Sequence, residues 1–217
     1  MQRRKYSHWH TTIDNDNSRR IIKHIIFVNY KELFNRITIL ISSPAKAWEE
    51  IGLEEDRHKA VDSFVYPMIG LCALSVFLGT LFYGEWNVDV LQVALRNSCV
   101  EAAALFVGCL VAALGIDFAR VKVQHEESDM GLAKQFAGYA MVVVFIIHVV
   151  NGILPELTLI GWMLQFYIVY VVWEGVSVMM HVDEPLRLRL TIGYSLLLLV
   201  CPIVVKMLLN YIIPDLN

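Results

Sequence analysis

Charge is what this sequence has least of. Only 18% of its 217 residues are Asp, Glu, Lys or Arg, against about 25% in a soluble domain, and 57% are hydrophobic against about 45–50%. With 18 basic and 21 acidic residues the net charge is −3, and no basic surplus gathers of the kind that a phosphate backbone demands. Nucleic-acid binding is therefore set aside. Cysteine is sparse too: Cys72, Cys99, Cys109 and Cys201 all fall in apolar runs, with no CxxC and no Cys/His pair at zinc spacing. They read as buried packing residues. The HWH at residues 8–10 and the HEES at 125–128 offer too few regularly spaced ligands for a metal site. HExxH, GxSxG, GxGxxG and a Walker-type glycine loop are all missing, so neither an enzyme nor a cofactor is expected. The opening MQRRKYSHWHTTIDNDNSRR has the charge of a signal peptide's first part but no apolar stretch behind it, and no cleaved signal is expected.

Apolar runs are what the chain has in quantity. Five windows, residues 65–83, 97–116, 136–154, 157–180 and 190–213, approach or exceed the roughly 20 helical residues that cross a hydrocarbon core of about 30 Å. The fourth is longer than crossing requires and is expected to tilt or split. The fold expected is an all-α membrane protein: a bundle of five transmembrane helices over residues 65–213, preceded by cytoplasmic interfacial helices over 21–64 and a polar tail over 1–20.

Basic residues set the orientation. Eleven lie before the first window, with Arg120, Lys122 and Lys134 after the second and Arg187 and Arg189 after the fourth. The segments on the opposite side hold Arg96 alone. The positive-inside rule then puts the N-terminus in the cytoplasm and, after five crossings, the C-terminus outside. Before the first window, Tyr30, Leu33, Phe34, Ile37, Leu40 and Ile41 recur at helical spacing opposite Lys31, Glu32 and Arg36, which predicts an amphipathic helix on the inner membrane surface. Glu32 and Arg36 form a favourable i,i+4 pair. In SSPAKAWEEI, Ser43 is placed to cap a second helix that starts at Pro44, with Trp48 at headgroup depth.

Polar side chains inside the windows need partners or tasks, because a lone charge at mid-bilayer costs about 2.5–3.5 kcal/mol on insertion scales. Glu101 is expected about 6–8 Å below the outer boundary, on a stripe with Ala104, Gly108, Ala112 and Gly115 that admits a close helix neighbour. His148 and Asn151 on the third window and Lys206 and Asn210 on the fifth reach the same outer third. Two readings remain open for this cluster: a Glu101–Lys206 ion pair that staples helices, or a proton- or ion-handling site. Lys206 also lies close enough to the surface to reach water unaided. A second face, nearer the cytoplasm, carries Tyr167, Tyr170, Glu174 and Ser177, with Tyr139 and Tyr194 at a depth from which they are expected to donate to Glu174. It reads as a satisfied or neutral carboxyl, with a ligand pocket the alternative.

The order ITILISSPAKAWEEI, a first window opening on Pro67, KQFAGYAMVVVFI with its Gly138-Tyr139, and YIVYVVWEGVSVMMHVDEP leading through RLRLTIGY into a last apolar run resembles the YIP family. These are multi-pass proteins named for interaction with Ypt/Rab GTPases, and the resemblance, over residues 33–213, is to short bacterial members. It implies five helices, a cytoplasmic N-terminus and the bacterial inner membrane. The Asp-Leu-Tyr-Gly-Pro stretch of eukaryotic members is missing, and the GTPase role is not carried over. A proline expected soon after Gly138-Tyr139 is replaced by Ala140-Met141-Val142-Val143-Val144, which removes the sequence reason for a break in the third span.

Two functions of different class follow. One is a non-enzymatic scaffold whose surface helices engage a membrane-protein partner, a second copy of itself or lipid. The other is a small transporter or channel using Glu101, His148, Lys206 and Glu174. Inverted repeats and paired broken helices are not detectable apart from Pro202, which favours the first. Small-residue stripes such as Gly108/Ala112 and Ser75/Gly79 can pack within one chain or between chains.

Overall fold

Helices follow directly from the apolar windows, since backbone polar groups in hydrocarbon must be satisfied within their own segment. The computed structural model describes residues 30–54, 57, 61–84 and 89–213, and among them there is no strand. The predicted tail over 1–20 and residues 21–29 lie outside the described residues. Among the described residues nine α-helices result: α1 (Tyr30–Ser42), α2 (Pro44–Gly52), α3 (Tyr66–Tyr83), α4 (Val90–Ala119), α5 (Met130–Ala140), α6 (Val142–Ile153), α7 (Thr158–Leu164), α8 (Tyr167–Val178) and α9 (Glu184–Ile212). Single π-helical turns precede α3 and follow α4.

Three continuous helical stretches are long and apolar enough to cross a membrane: Val61–Tyr83, Val90–Gln124 and Glu184–Ile212. Two further helix pairs pass the same test only together, and each is bent. Met130–Ala140 and Val142–Ile153 meet at 41°, and Pro155–Leu164 and Tyr167–Val178 at 40°, so five spans result if each pair is one crossing. The split in the fourth span matches its excess length. The break in the third has no proline behind it. It is made by Met141, whose ψ of 1° leaves the α-region while its N–H still reaches the Ala137 carbonyl. Fully buried packing on both sides of the joint holds it.

Helix α4 lies at the centre, packed on α3, α5 and α9. Its small-residue stripe is used within the chain. A Cβ added at Gly108 would sit 2.6 Å from the Pro202 Cα of α9, and one at Gly115 would meet Leu197 at 2.9 Å. The Ser75/Gly79 stripe of α3 serves α6 likewise: a Cβ at Gly79 would lie 1.7 Å from the Gly152 carbonyl oxygen. Both approaches fix helix spacing by leaving no room for any other residue.

Helices α1 and α2 form a hairpin that packs against α5, α6 and α8. Trp48 is fully buried against the bundle: its Nε1 donates to the Val171 carbonyl at 2.9 Å and its ring stacks on Phe136 at 5.0 Å. Tyr167 donates its hydroxyl to the Ile41 carbonyl at 2.6 Å, eleven residues before the end of α8. At 1.5 Å per residue, the hairpin tip therefore stands about 17 Å along α8 from its C-terminal end. The reason is burial. Leu33, Leu40, Ala47, Trp48 and Ile51 turn inward, whereas Tyr30, Phe34 and Ile41 remain exposed on the adjoining face. Ser43 and Pro44 occupy the expected cap and first-turn positions, without a side-chain capping bond.

Candidate functional site

At the end of the bundle away from α1 and α2, three helices deliver the side chains that the sequence places at one depth. Glu101 of α4 is 1% exposed. Its Oε2 accepts from Lys206 Nζ of α9 at 2.6 Å, and its Oε1 is bonded to His148 Nδ1 of α6. Both carboxylate oxygens are thus occupied. An ionised carboxylate only accepts, so in that contact the Nδ1–H of His148 is the donor. The Lys206 side chain is 45% exposed.

These three groups line a cavity of about 410 Å³ together with Thr80, Asn151 and Thr158. Asn151 packs against Gly161 of α7, and its Oδ1 is buried with no hydrogen-bond partner. Asn210 does not join them: it is exposed and lies outside the cavity lining. Towards the other end, Met68, Cys72, Leu105, Cys109, Met141 and Phe145 form buried apolar packing. Cys72 donates its thiol to the Phe145 carbonyl at 3.3 Å, but Cys99 is exposed, unlike the packing role expected of all four cysteines.

The second polar face does not assemble around Glu174. That carboxylate stands 4.0 Å from Arg187, whose guanidinium lies 4.1 Å from the Trp173 ring centroid and donates to the Trp173 carbonyl. Tyr139 instead donates to Glu54 at 3.3 Å, and Tyr194 accepts from Gln124 at 3.1 Å. Tyr167 is spent on Ile41, Tyr170 is exposed beside it, and Ser177 is half-buried. The expected donation to Glu174 failed because depth was read along each helix, whereas direction depends on the hairpin that the sequence did not place.

Two clusters at the hairpin end were missed. Glu54, just past α2, takes Arg36 at 2.5 Å and Tyr139 at 3.3 Å, and Gln135 donates to the Ile51 carbonyl at 3.2 Å. The i,i+4 spacing of Gln135 and Tyr139 on α5 was the available signal. Beyond it, Asp117 accepts from Ser128 at 2.6 Å and from the Asp129 N–H at 2.9 Å, while Asp129 caps α5 through the Leu132 N–H and pairs with Arg57. Burial pushes the Asp129 carboxyl up, but the Leu132 N–H and the Arg57 guanidinium outweigh it and hold the group below the usual carboxylate range. Among the described residues no group of three or more His, Cys, Asp or Glu side chains gathers to hold a metal ion.

No curated protein and no solved structure matches the chain. Residues 37–205 match the Yip1 domain, a stretch that begins within α1, takes in α2, the first two continuous spans and both bent pairs, and ends within α9, so the chain belongs to the Yip1-domain family of membrane proteins.

Proposed function

We propose that this membrane protein is a non-enzymatic scaffold that engages a membrane-protein partner or lipid through its α1–α2 hairpin. The observation that carries this reading is the way the hairpin is held. Trp48, Tyr167 and the Glu54 cluster lock it to α5 and α8, while Tyr30, Phe34 and Ile41 stay exposed at 59%, 63% and 38%. A rigidly mounted apolar face beside charged residues suits docking at a membrane surface. The hairpin end is the cytoplasmic one on the charge bias, in a bacterial inner membrane by the family resemblance.

Ion or solute handling is the second reading, and the cavity at Glu101 favours it. Against it stands the apolar packing of Met68, Cys72, Leu105 and Phe145, which separates that cavity from the polar groups at the hairpin end. Proteoliposomes test the choice. The scaffold reading expects proton and ion leakage no greater than in protein-free vesicles, and photocrosslinking from Phe34 to yield discrete protein or lipid adducts. Flux that Glu101→Gln abolishes would establish the transport reading instead.

A further inference from the structure

The cavity beside Glu101 meets an ion pair from its cationic end. The carboxylate is 1% exposed and sealed behind the ammonium, whereas the Lys206 side chain is 45% exposed and lines the cavity. An anion in line with the pair, about 3 Å from the ammonium, would stand roughly 5–6 Å from the carboxylate behind it, so attraction exceeds repulsion. The proton on His148 does not alter that sign. A neutral ring leaves the exposed pole positive, and an imidazolium adds to it. Hydrogen-bond donors follow the same polarity. Only one of the three Lys206 N–H groups is committed to Glu101. Tyr83, at the end of α3, brings to the lining a hydroxyl with no hydrogen-bond partner among the described residues. The Thr80 and Thr158 hydroxyls donate to the Val76 and Pro155 carbonyls, so Lys206 and Tyr83 carry the surplus.

We infer that this cavity binds the anionic oxygens of a phosphate ester, held by Lys206 and Tyr83, whether the ester belongs to a lipid headgroup or is free in solution. A volume of about 410 Å³ falls within the range of small-molecule sites, about 300–1,000 Å³. Position points to an ester at the membrane boundary. Lys206 stands six residues before the end of α9, about 9 Å at 1.5 Å per residue. Next to Thr158 in the lining, Leu159, Ile160, Trp162 and Met163 of α7 are exposed and apolar, a surface along which acyl chains can lie. Such a site prefers a net negative headgroup, because a zwitterionic lipid brings its own cation to the phosphate. This goes beyond the scaffold reading and stands whether or not the hairpin docks a partner.

The test uses the full chain in detergent micelles doped with one phospholipid at a time, read by thermal stability and native mass spectrometry. Phosphatidylglycerol is expected to bind at least about tenfold more tightly than phosphatidylcholine. Lys206→Met should abolish that preference, and Tyr83→Phe, at a position 56% exposed and harmless to folding, should reduce it roughly threefold. Thr158→Trp fills the cavity without touching Glu101 or Lys206. It should abolish the preference too, which a lipid merely resting against an exposed lysine would not show. Free glycerophosphate separates the sources: binding that Lys206→Met removes identifies a soluble ester, and a response to the lipid alone identifies a headgroup. Binding of neither probe, or binding that any of the three variants leaves unchanged, would overturn the inference. So would equal binding of the two lipids with no response to glycerophosphate.

Discussion

A carboxylate with 1% of its surface exposed survives in an apolar helix because both oxygens are engaged, and the sign of any change at Glu101 depends on what is left behind. Removing one member of a buried pair orphans the other, at about 3–5 kcal/mol in wholly buried cases, while removing both can be nearly neutral. Lys206 is almost half exposed, so the effect here is expected at the lower end, at or above about 1 kcal/mol for Glu101→Gln or Lys206→Met. The double variant should recover most of it, measured as a double-mutant cycle of unfolding in detergent. Additive losses would show that the two groups stabilise the fold independently. Much of this triad was legible. Helical periodicity placed Glu101, His148 and Lys206 at one depth, and the Gly108 stripe faced Glu101 inward. Asn210 shared the Lys206 face but came out exposed, one turn nearer the end of α9, although α4 runs on alongside as far as the Arg96 bond to the Ile213 carbonyl. Depth can be counted from sequence, but cover is decided by the tertiary neighbours.

At the scale of elements, the hairpin is the part that sequence described and did not place. The period of α1 showed its apolar residues, yet these divide into a buried pair, Leu33 and Leu40, and an exposed row, Tyr30, Phe34 and Ile41. Only the tertiary partner distinguishes two adjoining apolar faces. Trp48 decides which one turns inward. Trp48→Phe keeps a ring against Phe136 and loses the bond to the Val171 carbonyl, a change expected to cost about 0.5–1.5 kcal/mol. Trp48→Ala removes the ring as well, leaves a void between α2, α5 and α8, and is expected to cost about 3–5 kcal/mol. Hydrogen exchange over residues 44–52 should rise in the same order, with the α4–α9 contact unaffected. Uniform loosening of the whole bundle would mean that the hairpin is not a separate unit. The bend at Met141 was less legible still. Prolines announce kinks through a missing N–H, whereas this one comes from buried packing around an ordinary residue.

For the molecule as a whole, the apolar helices were readable from hydrophobic length, which the fold divides into three continuous candidate spans and two bent pairs among the described residues, and the orientation rests on charge alone. Sixteen of the basic residues fall in segments on one side and Arg96 alone on the other, with Lys206 inside the last span. Among the described residues, Arg57, Arg120 and Arg36 belong to the hairpin end, while Arg96 donates to the Ile213 carbonyl at the far end. Cytoplasmic placement of the hairpin end would therefore keep Arg36, Arg57 and Arg120 on the side where anionic lipid and the membrane potential favour them. Two exposed positions report on the ends separately, Glu126 in the turn between α4 and α5 and Glu156 in the turn between α6 and α7. In a cysteine-free background, Glu156→Cys is expected to react with a membrane-impermeant maleimide on intact cells, and Glu126→Cys only after the cells are opened. The opposite pattern would invert the protein, turning the Tyr30, Phe34 and Ile41 face away from any cytoplasmic partner and opening the Glu101 cavity to the cell interior. Labelling of both positions on intact cells would show two coexisting orientations, and the charge bias would then be insufficient to fix the topology.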